Sequence, residues 1–168
     1  MGFFDAIKGL LGGSDKPSGP MAWILAACAI VTDVDDDPAD WPADESRESL
    51  STWWELEDRG AVLGRLEELL AGTSAWDHIR ALHVARMAQS AGYLNATEAL
   101  SFSVRAGAAV QKTHRNWQEL ALAYWASQRE WAAESGADVP DAASRQQTMG
   151  RLHLEAWSGV DFQMPLRG

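Results

Sequence analysis

Apolar residues recur every three to four positions along most of this chain, and turn-forming residues cut the pattern into blocks. The clearest stretch, residues 76–131, predicts three consecutive helices. The first is capped by Thr73 or Ser74, whose hydroxyl can accept from a first-turn amide, and stops at Gly92. Its residues Trp76, Ile79, Leu82, Ala85 and Met87 mark one buried face. Asn95 opens the second, with Glu98 three positions on as in a capping box. That helix carries Leu100, Val104, Ala108 and Val110, and Gly107 in its interior implies a close helix crossing. Asn116 and Glu119 open the third, on which Trp117, Ala121, Tyr124, Gln128 and Trp131 share a face, and Gly136 ends it.

Around this centre the same logic predicts further helices. Residues 21–31 form an apolar run. Thr52 and Glu55 read as a capping box leading into Trp53, Trp54 and Leu56. Asp58 caps a helix carrying Val62, Leu63, Leu66, Leu69 and Leu70, which Gly72 stops, and Asp141 caps a last helix from 142 to about 157. No strand, repeat or low-complexity tract is evident. The expectation is an all-α, single-domain bundle of about six to seven helices with short turns over residues 21–168. Residues 1–20 read as an amphipathic segment (Phe3, Phe4, Ile7, Leu10, Leu11) and a Gly/Ser/Pro-rich tether. Docking of that segment on protein is preferred to membrane contact through residues 1–11, because it has no cationic face.

Composition adds two things. Nine Trp in 168 residues imply indole N–H groups that need partners inside the core. Eleven Arg against three Lys imply structural Arg–carboxylate pairs. One cysteine, Cys28, allows no internal disulfide and fits a cytoplasmic setting. Leu25-Ala-Ala-Cys28 resembles a lipobox, but the residues before it are polar, so a buried thiol is preferred to a lipoprotein anchor.

Charge changes the picture most. The chain carries a formal net charge of −10, and the segment 33–58 holds eleven carboxylates and one Arg; the rest is neutral. This acidic loop region, with Asp33, Asp35, Asp36, Asp37, Asp40, Asp44 and Glu45 around Trp41, Trp53 and Trp54, is the candidate surface for a basic partner. Trp41 could instead pin the loop to its own core. Asp33, Asp35 and Asp37 have calcium-loop spacing, but Pro38 stands where Gly is required and Asp44 where Glu belongs. His78, His83, His114 and His153 form no metal motif, and no cofactor signature occurs. A pI near 4.7 disfavours nucleic acid.

A second polar set is Trp76, Asp77, Arg80, Arg86, Glu98, Gln111, Trp117 and Glu119. Asp77 and Arg80, three apart, can pair. The structural reading, of helix-start pairs and interhelical bridges, is preferred to a ligand pocket built around Asp77, Arg80, Glu98 and Glu119.

Taken in order, Trp76-Asp77-x-x-Arg80, Ala91-Gly92-Tyr93, Glu98-Ala99, Trp117-x-Glu119-Leu120 and Trp131 resemble the bacterial YbeU/YbeR-like domain of unknown function, family 1266. The similarity covers roughly residues 21–165. Gly72-Thr73 replaces a Gly-His of the family pattern. The resemblance implies an all-helical fold and brings no activity. The leading expectation is therefore a non-enzymatic, immunity- or antitoxin-like module for a basic protein partner, with a small-ligand or hydrolytic pocket as the alternative.

Overall fold

The structure is a computed structural model that describes residues 17–167. The expected amphipathic segment, 1–11, lies outside the described residues, as does most of the tether. Within them there are seven α-helices and no strand, an all-α bundle. They are α1 (Gly19–Cys28), α2 (Ala43–Trp54), α3 (Arg59–Ala71), α4 (Ala75–Ser90), α5 (Ala96–Thr113), α6 (Trp117–Ser135) and α7 (Ala142–Arg151).

The caps read from the sequence are in place. Ser74 Oγ accepts from Asp77 N–H at 3.1 Å. Asn95 and Glu98 form a reciprocal capping box, and Asn116, Asp58 and Asp141 cap α6, α3 and α7. Gly92 and Gly136 adopt φ of 81° and 73°, the left-handed geometry that closes a helix without a Cβ penalty.

Three boundaries differ from expectation. The acidic segment is not all loop, because α2 forms within it. Asp44 and Glu45 lie in the first turn of α2, where negative charge favours the helix dipole, and Leu50 is anchored in the core. Thr52 and Glu55 therefore end a helix rather than begin one. Glu55 takes φ 57°, and Leu56 N–H returns to the Leu50 carbonyl at 3.0 Å. The last α-helix stops at Arg151 and continues as a π-helical turn, Leu152–Ala156.

Helix α4 is the hub, packed against α1, α2, α3, α5 and α6. It is buried on nearly all sides rather than one, since Ala81, Val84 and Ala88 are as enclosed as Ile79, Leu82 and Met87. The small residues of α4 leave room for neighbours to pack around it.

Indoles tie the bundle to the aperiodic C-terminal segment. Trp23 Nε1 donates to the Phe162 carbonyl (2.8 Å), Trp117 Nε1 to Val160 (2.9 Å), and Trp157 Nε1 to Ala26 (3.0 Å). Trp117 stacks on Trp157 at 5.8 Å. Gln111 donates to the carbonyls of Phe162 and Met164. These bonds satisfy the indole N–H groups and supply the partners that a strandless tail lacks. Gly107 marks a close approach of α5 to α1 and to this tail. A Cβ built there would lie 2.8 Å from the Trp23 ring and 2.5 Å from Leu166.

Candidate functional site

The acidic residues divide by what their own chain does with them. Asp37 accepts from both Arg86 Nε (3.0 Å) and an Arg86 terminal nitrogen (2.6 Å), and this pair is almost wholly buried. Arg86 also donates to Gln89. Asp33 takes Arg151 at 2.6 Å and the Val34 amide at 2.8 Å; with the amide the larger cause, its carboxyl lies below the usual range. Asp36 accepts from Trp41 Nε1 at 2.6 Å. The view of an acidic surface set apart from a balanced body therefore needs correction: two of its carboxylates are neutralised by arginines from elsewhere in the fold. Asp33 and Asp37 point to different arginines, so the calcium-like spacing does not converge.

Anchoring the loop at Asp37 has a consequence. It lays Asp35, Asp36, Asp37 and Asp40 along one side of a cavity of about 400 Å³. Met21, Ala22, Leu25, Ala26 and Ala29 of α1 make its apolar wall, and Glu155 and Val160 close the far side. Asp35, at φ 66°, and Asp40 are exposed, and neither has a basic side chain within 4.0 Å among the described residues. Cys28, at the end of α1, is fully buried; burial, with Asp37 adding, pushes its thiol up to about 12.

Asp44 and Glu45 are exposed on α2, away from that groove. Trp41, Trp53 and Trp54 face a second cavity, of about 410 Å³. Its other walls are Trp76, Arg80, His83 and Met87 of α4 and Tyr124 and Trp131 of α6. Trp41 is thus partly pinned, as one sequence reading held. Its indole bonds Asp36, its carbonyl accepts from Ser90 Oγ, and its ring meets His83 edge-on at 5.8 Å. Trp53, 79% exposed, stands at the rim, as does Trp131.

The expected Asp77–Arg80 pair does not form. Asp77 instead accepts from Ser74 Oγ at 2.7 Å, completing the cap. Arg80 lies over Trp54 and Trp76, its guanidinium carbon 4.3 and 4.8 Å from their centroids. Cation–π contact substitutes for the carboxylate. Nor do Asp77, Arg80, Glu98 and Glu119 share a pocket. Glu98 receives two bonds from Arg59 (2.7 and 2.9 Å), which bridges α3 to the start of α5, and that bond, with the Asn95 amide, holds its carboxyl at about 2. Glu119 accepts from the Arg115 amide at 2.7 Å. Trp117 and Gln111 serve the core, as described above. A hydrolytic site needs a nucleophile beside an oriented base, and these side chains are dispersed, with Asp77, Glu98 and Glu119 each bonded to neighbours of their own. Among the described residues no group of three or more His, Cys, Asp or Glu is placed to hold a metal ion. No helix among them is long and apolar enough to cross a membrane.

The sequence did not single out His83, Tyr124 or Trp131 as cavity residues, nor Met21, Leu25 and Glu155 as groove residues. Tyr124 and Trp131 share a helical face, which signals only burial. Their meeting with Trp41 and Trp54 is tertiary.

A protein-family model matches residues 71–159, which include the α4 and α6 walls of the second cavity and leave α1, α2 and the acidic loop outside. No curated protein and no solved structure matches the chain. By a match over more than half its length, the chain belongs to the family described as Protein of unknown function (DUF1266).

Proposed function

We propose that this chain is a non-enzymatic binding protein that takes a basic protein partner in the groove between α1 and the 33–40 loop. The observation that carries the reading is the groove itself: an apolar wall of Met21, Leu25 and Ala29 faces Asp35 and Asp40, neither of which has a described basic side chain within 4.0 Å, the Arg86 that also lines it being bonded to Asp37. An apolar floor with an acidic rim suits a Lys- or Arg-bearing segment that also presents apolar side chains. Desolvating the floor supplies affinity, and the rim supplies steering. The exposed carboxylates of α2, with Asp44 and Glu45 foremost, extend the same field. The concrete form is an immunity- or antitoxin-like protein that covers a basic bacterial toxin in the cytoplasm.

The test compares the wild type with the double variant Asp35→Lys/Asp40→Lys as bait for proteins of its host cell, at low salt and at 0.5 M salt. The reading expects a basic protein retained by the wild type, lost from the variant and released by salt. Retention indifferent to both changes overturns it.

A further inference from the structure

We propose that the tryptophan-lined cavity between α2, α4 and α6 is a binding site for a small molecule bearing a carboxylate on a flat apolar body. The site shares no lining residue with the groove, and the inference does not depend on a protein partner.

Its walls supply the apolar part. Trp76 packs on Tyr124 at 5.0 Å and on Trp131 at 5.8 Å, at interplanar angles near 30°. Trp41, Trp54 and Met87 complete an aromatic and thioether lining. Offset ring faces of this kind take another ring by stacking. A volume of about 410 Å³ admits a bicyclic molecule.

Its polar groups supply the charge preference. Six of the eleven arginines, Arg59, Arg65, Arg86, Arg105, Arg115 and Arg151, each meet a carboxylate, and Arg80 is the one without such a partner that lines this cavity. Arg80 meets none within 4.0 Å among the described residues, and makes no hydrogen bond to them. Its guanidinium carbon lies over the Trp54 and Trp76 rings, and no described acceptor takes its N–H groups, which are therefore available for bidentate carboxylate binding.

Two further groups line the same space. The Tyr124 hydroxyl has no partner among the described residues, and burial pushes its pKa up to about 12, so it remains a donor. His83 Nε2 is shut from solvent with no partner. Burial pulls that imidazole down to about 4, against Asp36, so it is neutral at pH 7 and its ring can present an N–H. An unpaired polar group costs free energy, and at the Tyr124 hydroxyl a ligand oxygen recovers it. Aromatic cages also bind organic cations, but here Arg80 already occupies the cation's place over the rings.

The test is titration of the whole chain at pH 7 with indole-3-acetate, indole and tryptamine, which share a ring system and differ in charge. The readout is the calorimetric affinity together with shifts of the indole N–H resonances. The expected result is indole-3-acetate bound about tenfold or more tighter than the other two, with the largest shifts at Trp54, Trp76 and Trp131. Arg80→Met should abolish the preference, reducing indole-3-acetate to the level of indole, while Arg80→Lys keeps part of it. Trp131→Ala, at a half-exposed position, should weaken all three ligands and leave the unfolding temperature nearly unchanged. It serves if Arg80→Met fails to fold. No binding of indole-3-acetate at millimolar concentration overturns the proposal. So does equal affinity for all three, tighter binding of tryptamine, or shifts confined to indoles outside the cavity.

Discussion

Asp37 and Arg86 form a doubly hydrogen-bonded pair inside the fold, 49 residues apart in sequence, and the acidic loop hangs from it. Removing one member leaves a buried charge uncompensated. Asp37→Ala should therefore destabilise the protein by about 3–5 kcal/mol in urea unfolding, whereas a paired replacement of both residues by apolar ones recovers most of the loss. The sequence showed that Arg-rich composition called for such bridges, but not which acid Arg86 would choose. That choice depends on chain folding back across α4. His83 makes a second residue-scale prediction. Its pKa is lowered to about 4 in the fold, chiefly by burial, while an unfolded histidine titrates near 6.5. Between those values the unfolded chain binds more protons, so the stability from keeping His83 neutral is intact above about pH 6.5 and is lost as pH falls towards 4. His83→Phe should flatten that part of a stability-against-pH curve. An unchanged slope would show that His83 is not held neutral.

Among the elements, α5 shows how a local rule and a tertiary contact compete. Alanine is the better helix former at an interior position by about 1 kcal/mol, so propensity alone predicts that Gly107→Ala stabilises. The Trp23 ring and Leu166 occupy the space a methyl would need. The expected outcome is a net destabilisation of about 1–3 kcal/mol by thermal or urea unfolding, partly relieved by Leu166→Ala. At the start of the same helix, Asn95→Ala should cost about 1 kcal/mol through the lost cap. Caps and glycine stops were readable because their chemistry is local: Ser74, Asn95, Asn116, Gly92 and Gly136 each act within a few residues. The boundary at Glu55 was misread because a Thr-x-x-Glu spacing is compatible with either end of a helix, and burial of Leu50 decides which. Helix α4 looked one-sided because periodicity counts large apolar residues and overlooks Ala81 and Ala88.

On the scale of the whole molecule, the net charge of −10 is distributed in two ways. Part of it is consumed in bridges at Asp33 and Asp37 that close the fold, and part, at Asp35 and Asp40, faces an open groove. Composition revealed the imbalance and located it. Only the fold separates structural acids from available ones, because the separation depends on Arg86 and Arg151 arriving from distant helices. The two concavities likewise draw their walls from segments far apart in sequence, and meet at Asp36, which lines the groove and bonds the Trp41 indole of the cavity. The groove is proposed to recognise positive charge joined to apolar surface. The most direct measurement is an amide and methyl NMR titration with a twelve-residue peptide of alternating Lys and Leu, at 50 mM and 500 mM salt. The expected result is saturable shifts at Met21, Leu25, Ala29, Asp35 and Asp40, suppressed at the higher salt and absent in Asp35→Lys/Asp40→Lys. Shifts confined to the α2 surface, or binding that salt and the double variant leave unchanged, would contradict it.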